Sequence, residues 1–267
     1  MDYYLILAVI GLVMGTFGGL LGIGGSIVMI PALVLAFGQN QHLYQAAAMI
    51  CNFFVCISAV AVHKKANVLV IDVVKWLVPA GIIGILAGVS LSNIQFFAGK
   101  NTINLTRLFG LFTAYVAVYN ILKLRKRDGG LNGLDISRRK QSPTLTSLIG
   151  LVTGFVGGLL GLGGGTVCTP MQQLCLRMPL KRAMSNSSAL IASMALIGAF
   201  YKNITLARHG IAVGDSLKIA VVVIPTAVIG GLIGGRLMHK LPKNIVRLVF
   251  IGLLIIAAIK MLTVKPA

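Results

Sequence analysis

Residues Gly11–Pro31 read GLVMGTFGGLLGIGGSIVMIP, and residues Gly150–Pro170 read GLVTGFVGGLLGLGGGTVCTP. At a constant offset of 139, thirteen of the 21 aligned positions are identical, seven of them glycine and one the closing proline. A repeat at such spacing lies far beyond the roughly 20–50-residue period of a solenoid. It marks the chain as two copies of one half. Each copy is an apolar run broken by a glycine cluster, with a proline a few residues on. Paired interruptions at corresponding places in two apolar halves point to a binding site at their meeting place.

The surrounding composition is that of an integral membrane protein. Apolar residues make up 57% of the 267 and charged residues only 11%, where soluble domains carry about 25% charged residues. The formal net charge of +19 does not imply nucleic acid, because the basic residues fall in short loops between apolar runs, as membrane orientation requires. The first residues, MDYYLIL, lack a basic region and include Asp2, so the first apolar run is expected to be retained rather than cleaved. Cys51, Cys56, Cys168 and Cys175 all lie in apolar runs without a CxxC pair. They are expected to be buried small side chains. No metal or cofactor is expected.

Apolar runs fall near 4–22, 26–37, 43–62, 68–91 and 104–123, then 144–161, 165–176, 183–201, 211–235 and 244–263. The second run of each half is too short to cross a bilayer alone. Residues 124–143 are basic and contain glycine. They divide the chain into a first membrane repeat, 1–123, a cytoplasmic linker, 124–143, and a second repeat, 144–267. Charge placement then selects the topology. If each glycine-broken pair is a down-and-up hairpin, each half makes an odd number of passes and the halves are inverted. Loops 63–65, 176–182 and 236–243 then share one side with the linker, and together with its flanking Lys123 they gather 15 of the 24 Lys and Arg, which makes that side cytoplasmic. The other side keeps only Lys100, Lys202 and Arg208 in its loops. The expected fold is an all-α polytopic membrane protein. It has two inverted repeats, each a glycine-broken helical hairpin plus three spanning helices, 8–10 segments in all, with both termini outside. The Gly-x-x-x-Gly pairs are expected to serve helix packing.

A helix that stops within the membrane leaves backbone groups unsatisfied. The short helices beginning near Ser26 and Thr166 should present free N–H groups and a positive dipole end, which suits an anion. Gly24, Gly25 and Ser26 form the first tip, and Gly163, Gly164, Gly165 and Thr166 the second. Asn52 follows in the third segment of one half, Asn186 and Ser187 in that of the other. Their amides and hydroxyl donate hydrogen bonds without adding a fixed charge, though Ser and Asn equally serve helix–helix bonding. Asp72 and Asp215 each precede a lysine by three residues and are read as local ion pairs, with proton coupling as the other reading. His63 and His209 are read as interfacial, and Arg107 and Arg247 as snorkelling from helix starts.

The motifs GGLLGIGGSIVMIP and GGLLGLGGGTVCTP, with the Ala-rich segments from Ala46 and Ala183, resemble the signature of the TauE/SafE sulfite exporter family, also called toluene sulfonate uptake permeases. The resemblance extends over essentially the whole chain. It implies a carrier of sulfite, of sulfonates such as sulfoacetate, or of related sulfur oxyanions across the bacterial inner membrane. Ser26 departs from the pattern of the second copy, which has Gly165. AMICNFF lacks the hydroxyls of AMSNSSALI, so the halves are expected to contribute unequally.

These readings lead to a secondary transporter of a small sulfur-containing anion, working by alternating access, with the lipid bilayer as its other partner and self-association left open. An anion channel is the alternative. No GxxxxGK[ST] is present, which argues against ATP hydrolysis, and no Ser/His/Asp or metal cluster suggests an enzyme.

Overall fold

The computed structural model describes residues 2–97, 99–125, 142–237 and 243–263. Ten α-helices account for most of these residues, and no strand occurs among them. The first half contributes α1 (Asp2–Leu21), α2 (Ser26–Phe37), α3 (Gln41–Lys65), α4 (Ile71–Ser92) and α5 (Thr102–Arg125). The second contributes α6 (Pro143–Leu160), α7 (Gly165–Cys175), α8 (Leu180–Leu206), α9 (Val213–Leu237) and α10 (Lys243–Thr263). Each of the ten apolar runs is a helix. Most of the linker, 126–141, and residues 238–242 lie outside the described residues, as do the side chains of Lys100 and Arg247.

Local chemistry sets several helix ends. The Asn40 side chain accepts the Leu43 N–H and opens α3. Ser142 caps α6, with Pro143 in the first turn where its missing N–H costs nothing. Among the described residues, seven helices are long and apolar enough to cross a membrane: α1, α3, α4, α5, α6, α8 and α9. At 12 and 11 residues, α2 and α7 extend only about 16–18 Å, short of the roughly 30 Å hydrocarbon core. Leu5, Leu111, Tyr115, Phe200 and Val221 remain exposed, as expected of side chains whose solvent is lipid rather than water.

Glycine lets the halves interlock. On α1, a Cβ at Gly15 would land on the Ala227 carbonyl and one at Gly19 on the Gly231 carbonyl of α9. On α6, Gly150, Gly154 and Gly158 face the carbonyls of Leu77, Gly81 and Ile85 on α4 in the same way. Without side chains between them the backbones close up, which is the packing that membrane helices use in place of a hydrophobic drive. The register also gives direction. Residue numbers rise together along α1 with α9 and along α4 with α6. They rise together along α3 with α9, where Ser58 meets Gly231 and Val62 meets Gly235. They oppose along α3 and α8, where Met49 lies near Gly198 and His42 bonds Lys202. Thus α1, α3 and α9 run one way, and α4 and α6 run with α8 the other way. The outermost pair, α5 and α10, pack on each other.

Three residues differ from their expected settings. Cys175 is exposed at the end of α7, while Cys51, Cys56 and Cys168 are buried. His63, read as a loop residue, is buried in the last turn of α3. Lys202 is not a loop residue: α8 continues to Leu206 and buries it completely.

Candidate functional site at the two glycine breaks

Between α1 and α2, Gly22, Gly24 and Gly25 adopt φ of 61°, 88° and 50°. Between α6 and α7, Gly161, Gly163 and Gly164 adopt 73°, 70° and 77°. These left-handed conformations reverse the chain within four residues, and glycine enters them without steric cost. Space forbids a side chain as well. A Cβ at Gly25 would strike the Met14 carbonyl of α1, and one at Gly164 the Thr153 carbonyl of α6; Met14 and Thr153 are themselves 139 residues apart.

The two tips touch. A Cβ on Gly165 would collide with the Ile23 Cα and come within 2.8 Å of the Gly22 carbonyl. Each tip also leans on the other half's long helix: Gly22 faces the Met184 carbonyl of α8, and Gly161 faces Gln45 of α3. The Gln45 amide donates to the Leu159 carbonyl at 3.2 Å and fixes the end of α6 on α3.

Asn52 stands where the tips converge. It is fully buried. Its Oδ1 accepts the Ser26 N–H at 3.2 Å, and its Nδ2 donates to Ser26 Oγ at 2.9 Å. A Cβ on Gly24 would lie 3.2 Å from Oδ1, and one on Gly163 would lie 2.9 Å from Nδ2. One amide therefore closes the first turn of α2 and faces the tip before α7. Neither Gly25 nor Gly164 offers a side-chain cap, so the first N–H of α2 depends on Asn52, while α7 has no such partner from its N-cap.

Hydroxyls lie along α7 and near the start of α8. Those of Thr166, Thr169 and Ser185 are buried without a hydrogen-bond partner among the described residues. Ser187 and Thr153 lie beside the Cys168 thiol. Such groups are costly to bury unpaired, and each is able to donate to an acceptor. The dipole of α7 adds a positive end at Gly165 and Thr166.

Of the ten residues expected at the site, the structure gathers Gly24, Gly25, Ser26, Asn52, Gly163, Gly164 and Gly165 at one place, with Thr166 in the adjoining first turn. Asn186 is engaged elsewhere. Its Oδ1 accepts the Val70 N–H at 2.9 Å and its Nδ2 donates to Gln172 Oε1 at 3.1 Å, tying α8 to the start of α4 and to α7. Asp72 and Asp215 form exposed pairs with Lys75 and Lys218 at 2.8 and 3.3 Å. Gln45 and Gln172 were not singled out from sequence, although a glutamine within an apolar run was the available signal. Among the described residues no group of His, Cys, Asp or Glu is arranged to hold a metal.

Comparison with known proteins accords with this architecture. The chain is 27% identical over 96% of its length to the "Probable membrane transporter protein MamO" of Magnetospirillum gryphiswaldense, of which it spans only 44%. It is 26% identical to the "Probable membrane transporter protein YunE" of Bacillus subtilis, with 95% of each chain covered. A "Probable membrane transporter protein" of Xylella fastidiosa is 29% identical over 90% of this chain and 87% of its own. No solved structure matches. The family described as sulfite exporter TauE/SafE matches residues 7–261. With seven candidate spans and a family match over nearly its full length, the chain is a multi-pass plasma-membrane protein that belongs to the sulfite exporter TauE/SafE family.

Proposed function

We propose that the chain is a secondary transporter that carries a small sulfur-containing anion, sulfite or an organosulfonate such as sulfoacetate, across the plasma membrane by alternating access. Family membership and the names of its relatives support the coarser class, a membrane transporter, and a non-enzymatic role. The observation that carries the finer reading is the convergence of both glycine breaks on Asn52.

An oxyanion at this junction meets the N-terminal end of α7, with Gly165 and Thr166 N–H groups and the Thr166 hydroxyl as donors. Asn52 orients it from the first half, and Ser187 extends the hydroxyl lining. A helix N-terminus favours an anion by about 0.3–1 kcal/mol when exposed and up to about 2 kcal/mol when partly buried. Specificity therefore rests on the geometry of several donors. The opposed directions of α1, α3 and α9 against α4, α6 and α8 support halves 1–123 and 144–267 as inverted repeats. Such repeats rock about a midplane site and open it to each side in turn. With the linker cytoplasmic, the termini lie outside.

The test is a thermal-shift panel of sulfite, sulfate, thiosulfate, sulfoacetate and taurine on purified protein, followed by counterflow in liposomes with the anion that stabilises most. A carrier accelerates labelled uptake when unlabelled anion is inside. Conduction without trans-stimulation makes it a channel, and no binding by any member of the panel removes the sulfur-anion assignment. Cysteines placed in loops 38–42 and 176–182 should label from opposite sides; labelling from one side contradicts the inversion.

A further inference from the structure

Near the start of α3 and the end of α8, a second buried polar cluster joins the two halves. Lys202 of α8 is fully buried. Its ammonium donates to three acceptors: His42 Nδ1 on α3 at 2.9 Å, Ser92 Oγ at the end of α4 at 2.8 Å, and Asn93 Oδ1 at 3.1 Å. His42 is also buried, and its Nε2 lies 2.8 Å from the Phe97 carbonyl. A carbonyl only accepts, so Nε2 carries the hydrogen and Nδ1 presents its lone pair to Lys202. The His209 ring stacks on His42 at 3.8 Å, and its Nε2 shares Asn93 Oδ1 at 3.1 Å. His209 is half-buried, so it is the member that solvent reaches.

Among the described residues this cluster holds no carboxylate. The chain has five acids, all aspartate. Among the described residues the two ion pairs are those of Asp72 and Asp215 with their own lysines. Among the described residues the titratable or charged groups around Lys202 are His42 from α3 and His209 with exposed Arg208 from the turn after α8; the end of α4 and its cap contribute the neutral Ser92 and Asn93. A buried cation without a counter-charge is expensive. A structural role would be filled as well by a neutral donor, whereas two bases in direct contact hold and release a proton. Intramembrane ionisable groups of this kind mark proton pathways.

We propose that Lys202 and His42 form the proton-binding site that couples anion movement to a proton gradient, a proposal that rests on the transporter reading above. The step is a proton transfer alone. The Nζ–H proton passes to His42 Nδ1, leaving a neutral amine and an imidazolium, and returns or leaves toward His209 and water. No heavy-atom bond changes. The protonated lysine latches α8 to α3 and to the end of α4, which joins the halves at this face; losing the proton weakens the latch. His42 lies ten residues before Asn52 on the same helix, about 15 Å away at 1.5 Å per residue, so α3 links the proton site to the anion site rigidly. The equivalent place in the first half, 139 residues before Lys202, is His63, likewise buried at the far end of its helix.

The test uses full-length protein in liposomes, with whichever of labelled sulfite or sulfoacetate the binding panel selects. Wild type, Lys202→Met and His42→Gln are compared; the glutamine keeps a donor for the Phe97 carbonyl, so one variant preserves the local fold if the other does not. Two rates are read: counterflow at equal pH, and accumulation under a gradient of one pH unit imposed in either direction. One proton per anion gives about tenfold accumulation for that gradient. Wild type is expected to accumulate in one direction of the gradient, and the variants to exchange normally while accumulating nothing. Equal accumulation by wild type and both variants overturns the proton site and leaves the carrier intact. A wild type that exchanges but does not respond to the gradient also overturns it. Absence of counterflow in wild type removes the transporter reading itself, and this proposal with it.

Discussion

The two glycine breaks share a backbone and differ in how their first helical turn is closed. At the first, Ser26 and Asn52 exchange two hydrogen bonds and leave little unpaired. At the second, Gly165 replaces the serine, and the position matching Asn52 at the offset of 139 is Ile191, which packs on Gly163 and Gly165. The Thr166 hydroxyl, without a partner among the described residues, stands in the first turn of α7 instead. A duplicated scaffold has thus become one closed tip and one open tip. The closed tip supplies a fixed surface and a single amide; the open tip supplies donors. The asymmetry follows from a few side chains and leaves the glycine frame untouched.

If the frame is shared, damage to it must be equal on both sides. Gly25→Ala and Gly164→Ala each force a Cβ into a left-handed turn against a helix carbonyl. Each is expected to cost about 2–5 kcal/mol, read as matching losses of thermal stability; tolerance at one tip alone breaks the equivalence. Next, Asn186→Ala removes the link to Val70 and Gln172. It should lower stability by about 1–3 kcal/mol without changing anion affinity, and an affinity loss with unchanged stability would return Asn186 to the anion site. Smallest are the changes that separate the tips. Thr166→Val should weaken binding by about tenfold, the scale of one hydrogen bond, with no loss of stability. Ser26→Ala should cost about 1 kcal/mol of stability and change affinity less than about threefold. A reversed pattern by titration calorimetry would make the first tip the open one.

Much of this was legible in the residues. The ten apolar runs gave ten helices, the glycine clusters fell at the breaks, and the Asp–Lys spacing of three gave two ion pairs. Three features were not legible, each for a physical reason. Asn52 and Asn186 looked equivalent because both lie in the third segment of their half, yet at the offset of 139 Asn186 matches Ala47, more than a turn before Asn52, so it faces a different neighbour. Lys202 looked like a loop residue because a charge conventionally ends an apolar run; only the packing of α8 against α3 and α4 shows that three acceptors await it. The particular contacts by which the expected meeting of the tips occurs, Gly165 on Ile23 and Gly163 on Asn52, join residues more than a hundred positions apart, which no local pattern encodes.

The central claim is that both breaks bind one anion around Asn52, and Asn52→Asp tests it most directly. Aspartate keeps the shape and still accepts the Ser26 N–H, but replaces the donating amide with a negative charge at the junction. Titration of the best-stabilising anion from the panel into wild type and Asn52→Asp should show binding only in wild type. The loss should exceed about a hundredfold, or roughly 2.7 kcal/mol, while the variant remains folded and monodisperse. Undiminished affinity in folded Asn52→Asp would contradict the paired site.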